Sequence, residues 1–117
     1  SVAHGGESVA VAIADTPVGV DIESLGRDFD RVAPRYMTSE ELSLSSNEHW
    51  ACYAWCAKEA MYKLYGRRGV ELRGDIRLES FDSESMVIYG SMVDEAPSII
   101  KISLFNDDII VAVATFR

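Results

Sequence analysis

Residues 48–65 read EHWACYAWCAKEAMYKLY, and this stretch decides the fold. Its apolar residues recur at intervals of three and four, which is the spacing of one face of an α-helix. They are Trp50, Tyr53, Ala54, Ala57, Met61, Leu64 and Tyr65. Gly66 follows the last of them and is a typical helix stop. We therefore predict one long amphipathic helix that packs its apolar face against the remainder of the chain.

Short apolar segments on both sides of this helix predict strands. Residues 8–15 and 18–23 precede it, and we expect them to pair antiparallel because they are close in sequence. The segments after the helix cover roughly residues 75–81, 86–90, 98–105 and 109–116. Asn-Asp-Asp at 106–108 predicts the turn of a hairpin between the last two. This order of elements predicts an α+β fold in which a mainly antiparallel sheet packs against one long helix.

Two short helical segments are predicted between the N-terminal strands and the long helix. Residues 29–37 favour a short, irregular helix whose start is limited by Pro34. The following stretch, TSEEL at 38–42, predicts a helix start, because Thr38 and Glu41 have the spacing of a capping box.

Length and composition restrict the class of protein. The chain has 117 residues, which predicts a single domain spanning residues 1–117. Its net charge of −8 disfavours binding to nucleic acid, because phosphates are repelled. We expect no membrane span, since no apolar run approaches the ~20 residues that one requires. Cys52 and Cys56 are one helical turn apart, and as buried reduced thiols they favour a cytoplasmic location.

The segment VGVDIE at residues 18–23 carries two carboxylates on one face of its predicted strand. Side chains alternate along a strand, so Gly19, Asp21 and Glu23 share a face, and the two carboxylates lie ~7 Å apart. One interpretation is a solvated acidic edge. The other is a metal site, since two carboxylates are typical magnesium ligands and glycine lets a ligand approach the backbone.

The long helix offers a third carboxylate. Trp55, Glu59 and Lys63 fall at i, i+4 and i+8 and therefore lie along one stripe. Taken alone, Glu59 and Lys63 are an ordinary i,i+4 ion pair on a solvated helix surface. If the stripe instead faces the acidic strand, Glu59 joins the two carboxylates there.

The segments PVGVDIE and WCAKEAMYK together resemble the signatures of the 4′-phosphopantetheinyl transferases, Gly-x-Asp-x-Glu and Trp-x-x-Lys-Glu-x-x-x-Lys. SVAHGG near the start also resembles the serine-histidine segment of the larger, peptide-synthetase-activating type, and RYMTSEEL resembles the family's segment between the two signatures. The resemblance covers most of residues 1–70. It implies an enzyme that transfers 4′-phosphopantetheine from coenzyme A to a serine of an acyl or peptidyl carrier protein. Such an enzyme serves fatty acid, polyketide or nonribosomal peptide biosynthesis.

The same resemblance implies roles for individual residues. Asp21, Glu23 and Glu59 would hold Mg²⁺ with the pyrophosphate of coenzyme A, and Glu59 would help deprotonate the attacking serine. Lys63 would contact phosphate. His4 would match the histidine that contacts the phosphates of coenzyme A. Apart from the resemblance, the position of Arg67 and Arg68 just past the helix suggests that they extend the cationic rim around coenzyme A; the alternative is a simply solvated pair. Glu41 matches an acidic position between the signatures, although its capping role is the stronger interpretation.

The chain resembles only the second half of the larger enzymes, in which coenzyme A lies between two similar halves. We therefore expect it to form a homo-oligomer or to pair with another half. The alternative function is a non-catalytic module that binds coenzyme A or metal and needs a second chain for activity. A third alternative is a structural acidic domain in which Glu59 and Lys63 form a surface pair.

Overall fold

The computed structural model of the chain describes residues 2–5 and 8–11 as backbone and residues 16–117 with their side chains. The helices are α1 (Ser39–Leu42) and α2 (Trp50–Tyr65), and a 3-10 helix spans Ala33–Arg35. The strands are β1 (Val2–Gly5), β2 (Ser8–Val11), β3 (Val18–Ser24), β4 (Ile76–Asp82), β5 (Val87–Met92), β6 (Ser98–Phe105) and β7 (Ile109–Phe116). Within these ranges, no helix is long and apolar enough to cross a membrane.

Strands β3 to β7 form an antiparallel sheet in the order β3-β7-β6-β5-β4, and β1 pairs separately with β2. The predicted α+β fold with a long helix on an antiparallel sheet is confirmed. Over the described residues 8–11, the predicted pairing of residues 8–15 with residues 18–23 is wrong: β2 pairs with β1 in a separate sheet, and β3 pairs with β7, with Asp21 opposite Ala112. All seven residues of β3 find partners on β7, a longer ladder than the four residues of β2 could form. Residues 12–15 of the predicted strand lie outside the described residues.

The main core lies between α2 and one face of the sheet. Small side chains on the helix let it approach the strands closely, and aliphatic residues fill the remaining space. The most completely buried members are Ala54, Cys56, Ala57, Ala60, Met61, Ile76, Ile88, Ile100, Ile110, Ala112 and Ala114. On the opposite face, Val20 and Ile22 form a second buried cluster, packed against by Ile109, Val111 and Val113. The β1–β2 pair contacts β3.

Local signals fix the helix ends where the sequence predicts them. Gly66 ends α2 in the left-handed conformation, with a φ of 65°, and its N–H donates to the Tyr62 carbonyl. Thr38 and Glu41 form the complete capping box at the start of α1. Of the helix predicted over residues 29–37, the structure retains the 3-10 turn Ala33–Arg35, with Pro34 in its first turn.

Gly19 sets the distance between β3 and α2. A Cβ built on it would lie 1.9 Å from the Ala60 carbonyl oxygen and 2.6 Å from the Leu64 backbone nitrogen. Both atoms belong to the helix backbone, which cannot yield as a flexible side chain would. Only glycine therefore lets the helix lie this close to the strand that carries the two carboxylates.

We predict that Gly19→Ala destabilises the chain by about 1–3 kcal/mol or more, because the added methyl group forces α2 away from β3. Urea unfolding measures the change. Gly74→Ala is the matched control, since its Cβ would meet nothing within 4 Å. Equal stability of the two variants would show that the helix backbone can move aside without loss.

Candidate functional site

Asp21 and Glu23 lie on the face of β3 that α2 covers, and each contacts a side chain of the helix. Lys63 Nζ donates to Asp21 Oδ1 at 3.2 Å and to the Val20 carbonyl oxygen at 2.9 Å. The Trp55 indole N–H donates to Glu23 Oε2 at 3.2 Å. Asp21 is buried and Glu23 is half-buried. Two successive carboxylates of the strand are thus tied to residues two helical turns apart.

Glu59 lies on the helix between these two contacts, one turn from Trp55 and one turn from Lys63. Its carboxylate interacts electrostatically with both Asp21 and Glu23. Lys63 forms an ion pair with Asp21. Among the described residues, no ion pair joins Lys63 to Glu59. The helical stripe therefore faces the acidic side of β3.

Burial dominates the electrostatics of the three carboxyl groups. It raises the pKa of Asp21, against the lowering effect of the Lys63 ammonium. Burial also raises the pKa of Glu23, and the neighbouring Asp21 raises it further. For Glu59, burial raises the pKa, Lys63 lowers it and Glu23 raises it. Three acidic groups thus share a partly desolvated space in which their ionised forms are disfavoured.

These residues suit magnesium by their chemistry, because carboxylate oxygens are the ligands that this hard cation prefers. Asp21 Oδ2 is buried and has no hydrogen-bond partner among the described residues, which leaves an anionic oxygen for a cation. Across residues 16–117, no three His, Cys, Asp or Glu side chains already converge as a metal site. The set Asp21, Glu23 and Glu59 stays a prediction.

Lys58 belongs to the same helical signature but has a different environment. Its ammonium is fully buried, pairs with Glu41 at 2.9 Å and also donates to the Leu72 carbonyl oxygen. Glu41 Oε2 also accepts from the Leu78 backbone N–H at 2.8 Å, in addition to capping α1. The predicted capping role is confirmed, and the pair joins α1, α2 and β4. This ion pair was not predicted, although Lys58 falls among small apolar residues of the helix.

Arg67 and Arg68, two other predicted coenzyme-binding residues, follow the C-terminal end of α2. Arg67 donates to the Val93 carbonyl oxygen at 3.3 Å and pairs with Glu95 at 3.5 Å, in the turn after β5. Arg68 is exposed beside it. No described contact joins either arginine to the three carboxylates. The predicted role of His4 falls on a side chain outside the described residues.

Arg27 is a site residue that the sequence analysis missed. Its guanidinium pairs with Glu23 Oε1 at 2.8 Å, so both oxygens of that carboxylate have partners. Glu23 and Arg27 are four residues apart, a spacing that predicts an ion pair on a helix. Here the spacing lies at the end of a strand and in the following connector, so it did not predict a contact. Arg27 also lines a cavity of about 540 Å³ with Arg35, Arg73 and several apolar side chains.

Comparison with known families assigns most of the chain to one of them. A family model described as the 4′-phosphopantetheinyl transferase superfamily matches residues 17–114, which includes β3 and α2. No curated protein matches the chain.

Glu59→Gln should stabilise the chain at pH 7 in the absence of divalent cations. Because the folded-state pKa of Glu59 is raised, folding favours its protonated form, and its contribution to stability is lost as pH rises through that pKa. The advantage of the variant should shrink as the pH falls and Glu59 becomes protonated. Urea midpoints between pH 4 and pH 8 measure this, with the exposed Glu84→Gln as control. A less stable Glu59→Gln chain at pH 7 would contradict the prediction.

Lys58→Met should destabilise the chain by about 3–5 kcal/mol, because it leaves the buried Glu41 carboxylate without its cation. Chemical denaturation compares it with Lys101→Met, an exposed lysine on β6, for which we expect a change within about 0.5 kcal/mol. A similar small effect of both substitutions would mean that the buried pair contributes little.

Proposed function

The chain belongs to the 4′-phosphopantetheinyl transferase superfamily, and from this membership we propose the reaction in full. It transfers the 4′-phosphopantetheinyl group of coenzyme A to a serine hydroxyl of an acyl or peptidyl carrier protein, and it depends on magnesium. The observation that supports this most directly is the contact of Lys63 with Asp21, because it unites the two signature segments in one site.

The reaction forms one bond and breaks another at the same phosphorus. The serine oxygen attacks the phosphorus that carries the pantetheine arm, and the bond from this phosphorus to the bridging oxygen of the pyrophosphate breaks. The products are the phosphopantetheinylated carrier and 3′,5′-ADP, and the serine proton must be accepted by a base. Such a transfer requires positioning and charge neutralisation more than a protein nucleophile.

Glu59 is the proposed base. Burial and the nearby Glu23 raise its pKa, which brings it closer to working pH and makes it a better proton acceptor once ionised. Its place between the Trp55 and Lys63 contacts keeps it beside the two strand carboxylates. It would share with them the holding of the metal.

Lys63 is the proposed phosphate contact. An ammonium has three N–H donors, and the described hydrogen bonds engage Lys63 with the Val20 carbonyl and with Asp21. Its side chain is 32% exposed, so a donor can reach a bound phosphate. The anchored positive charge would offset negative charge that develops on the leaving phosphate.

Asp21, Glu23 and Glu59 are the proposed magnesium ligands. When bound, the ion would neutralise and align the pyrophosphate oxygens of coenzyme A. Asp21 would contribute Oδ2, which accepts no hydrogen bond from the described residues, and Glu23 would be oriented by the Trp55 indole.

We also propose that a second chain completes the coenzyme site, either another copy or a separate half. The contacts of Arg67 support this proposal. They hold the arginine at the turn after β5, away from the carboxylates, so another chain would have to supply the cationic groups that bind coenzyme A. The free, buried thiols of Cys52 and Cys56 support a reducing, cytoplasmic location.

The direct test incubates the chain with coenzyme A, Mg²⁺ and several apo carrier proteins. We expect the carrier to gain the mass of one phosphopantetheinyl group, with release of 3′,5′-ADP, as measured by intact-protein mass spectrometry. Asp21→Asn and Glu59→Gln should lower the rate at least about 100-fold, within the range for loss of general base or electrostatic catalysis. Glu84→Gln should match the parent chain.

Absence of any mass gain across the carriers would reject transferase activity for the isolated chain. Size measurement and calorimetry with coenzyme A then test the alternative of a non-catalytic module. A monomer that fails to bind the coenzyme alone would support a half-site that needs its partner.

A further inference from the structure

We infer that Arg27 is an exchangeable counter-ion of Glu23, whose guanidinium leaves the carboxylate when Glu23 ligates magnesium. This inference rests on the magnesium set proposed above and adds Arg27 to it as a positioning residue. In the metal-free chain Arg27 would keep Glu23 neutralised and oriented. In the loaded chain it would hold no contact with that carboxylate.

The two partners of Glu23 differ in charge, and this difference selects the one that leaves. Trp55 donates a neutral indole N–H to Oε2, whereas Arg27 brings a full positive charge to within 2.8 Å of Oε1. A guanidinium and a divalent cation on one carboxylate repel each other, but an indole and a cation do not. Glu23 therefore keeps Trp55 and exchanges Arg27.

The surroundings of Arg27 allow the exchange without movement of the strand. Its side chain is 64% exposed, compared with 13% for that of Glu23. The adjoining backbone is anchored, because the Leu25 N–H donates to the Asp108 carbonyl at 2.8 Å and the Gly26 N–H to Ser24 Oγ. Rotation of the arginine side chain alone is enough to break the pair.

Arg27 also has a destination of opposite charge. It lines a second cavity of about 220 Å³ that contains the acidic residues Asp28, Asp30 and Glu48. The Phe29 ring borders the same cavity and already faces the guanidinium, with 5.1 Å between Arg27 Cζ and the ring centroid. The released charge thus moves from one carboxylate toward three others, which limits the electrostatic cost of the exchange.

The pair is exposed on its arginine side, so its strength is modest. Exposed ion pairs of this kind correspond to about a two- to five-fold change in an equilibrium constant. We therefore expect Arg27→Gln to tighten Mg²⁺ binding about two- to five-fold relative to the parent chain. Arg31→Gln is the matched control, because Arg31 has the same charge and lies on the same connector but pairs with Asp28.

Calorimetric titration with MgCl₂ measures both variants, after thermal unfolding has shown that they fold. Tighter Mg²⁺ binding by Arg27→Gln than by Arg31→Gln supports the exchange. The Mg²⁺ affinity of Arg27→Lys should lie between that of Arg27→Gln and that of the parent chain. Equal effects of the two glutamine variants would overturn it, since only the overall charge would then matter.

A second measurement uses the unmodified chain. In ¹H–¹⁵N spectra, added MgCl₂ should shift the Trp55 indole signal and the Arg27 side-chain signals. The indole of Trp50 should stay unchanged, since it donates to the Glu41 carbonyl at 2.9 Å, away from Glu23. A shift of Trp55 without Arg27 would overturn the exchange and leave the proposed function standing. No response and no Mg²⁺ binding would overturn both.

Discussion

The close contact of α2 with β3 at Gly19 is the constraint on which the site depends. Because no side chain intervenes, the helix backbone reaches the strand, and side chains two turns apart meet successive residues of β3. Lys63 then contacts Asp21 and Trp55 contacts Glu23. Glu59 lies on the helix between Trp55 and Lys63. A larger separation would break both hydrogen bonds at once and leave the three carboxylates without a common environment.

The signature residues of α2 lie on two faces of the helix and make different contacts. Lys58 points into the interior and, through Glu41, connects α1, α2 and β4. Glu59 and Lys63 point toward β3, where acidic groups are gathered at an energetic cost that burial increases. The buried pair helps fix the rotation of the helix, and this rotation keeps Glu59 directed at the strand. The structural ion pair and the proposed catalytic base are thus supplied by adjacent residues of one helical turn.

Much of this arrangement follows from local sequence signals. Periodicity and Gly66 predicted α2, the capping box predicted α1, and the C-terminal strands lie within two residues of their predicted bounds. The shared face of Asp21 and Glu23 followed from strand alternation. The strand that pairs with β3 could not be predicted in this way. Proximity in sequence favoured β2, whereas the ladder with β7 depends on the arrangement of the whole sheet. Arg27 was missed for a related reason: its contact depends on a turn whose shape no helical or strand period encodes.

The pairing of β3 with β7 also determines when the site can form. The strand that carries Asp21 and Glu23 is synthesised well before β7, the strand with which it pairs. Contacts between such distant segments are slow to form, because the intervening chain loses conformational entropy when its ends meet. Until β7 has been synthesised, β3 therefore lacks the strand with which it pairs in the folded chain. Its two carboxylates disfavour pairing with other chains in that interval, since like charges on neighbouring strands repel. The two carboxylates that we propose as metal ligands thus also oppose aggregation of this strand before folding is complete.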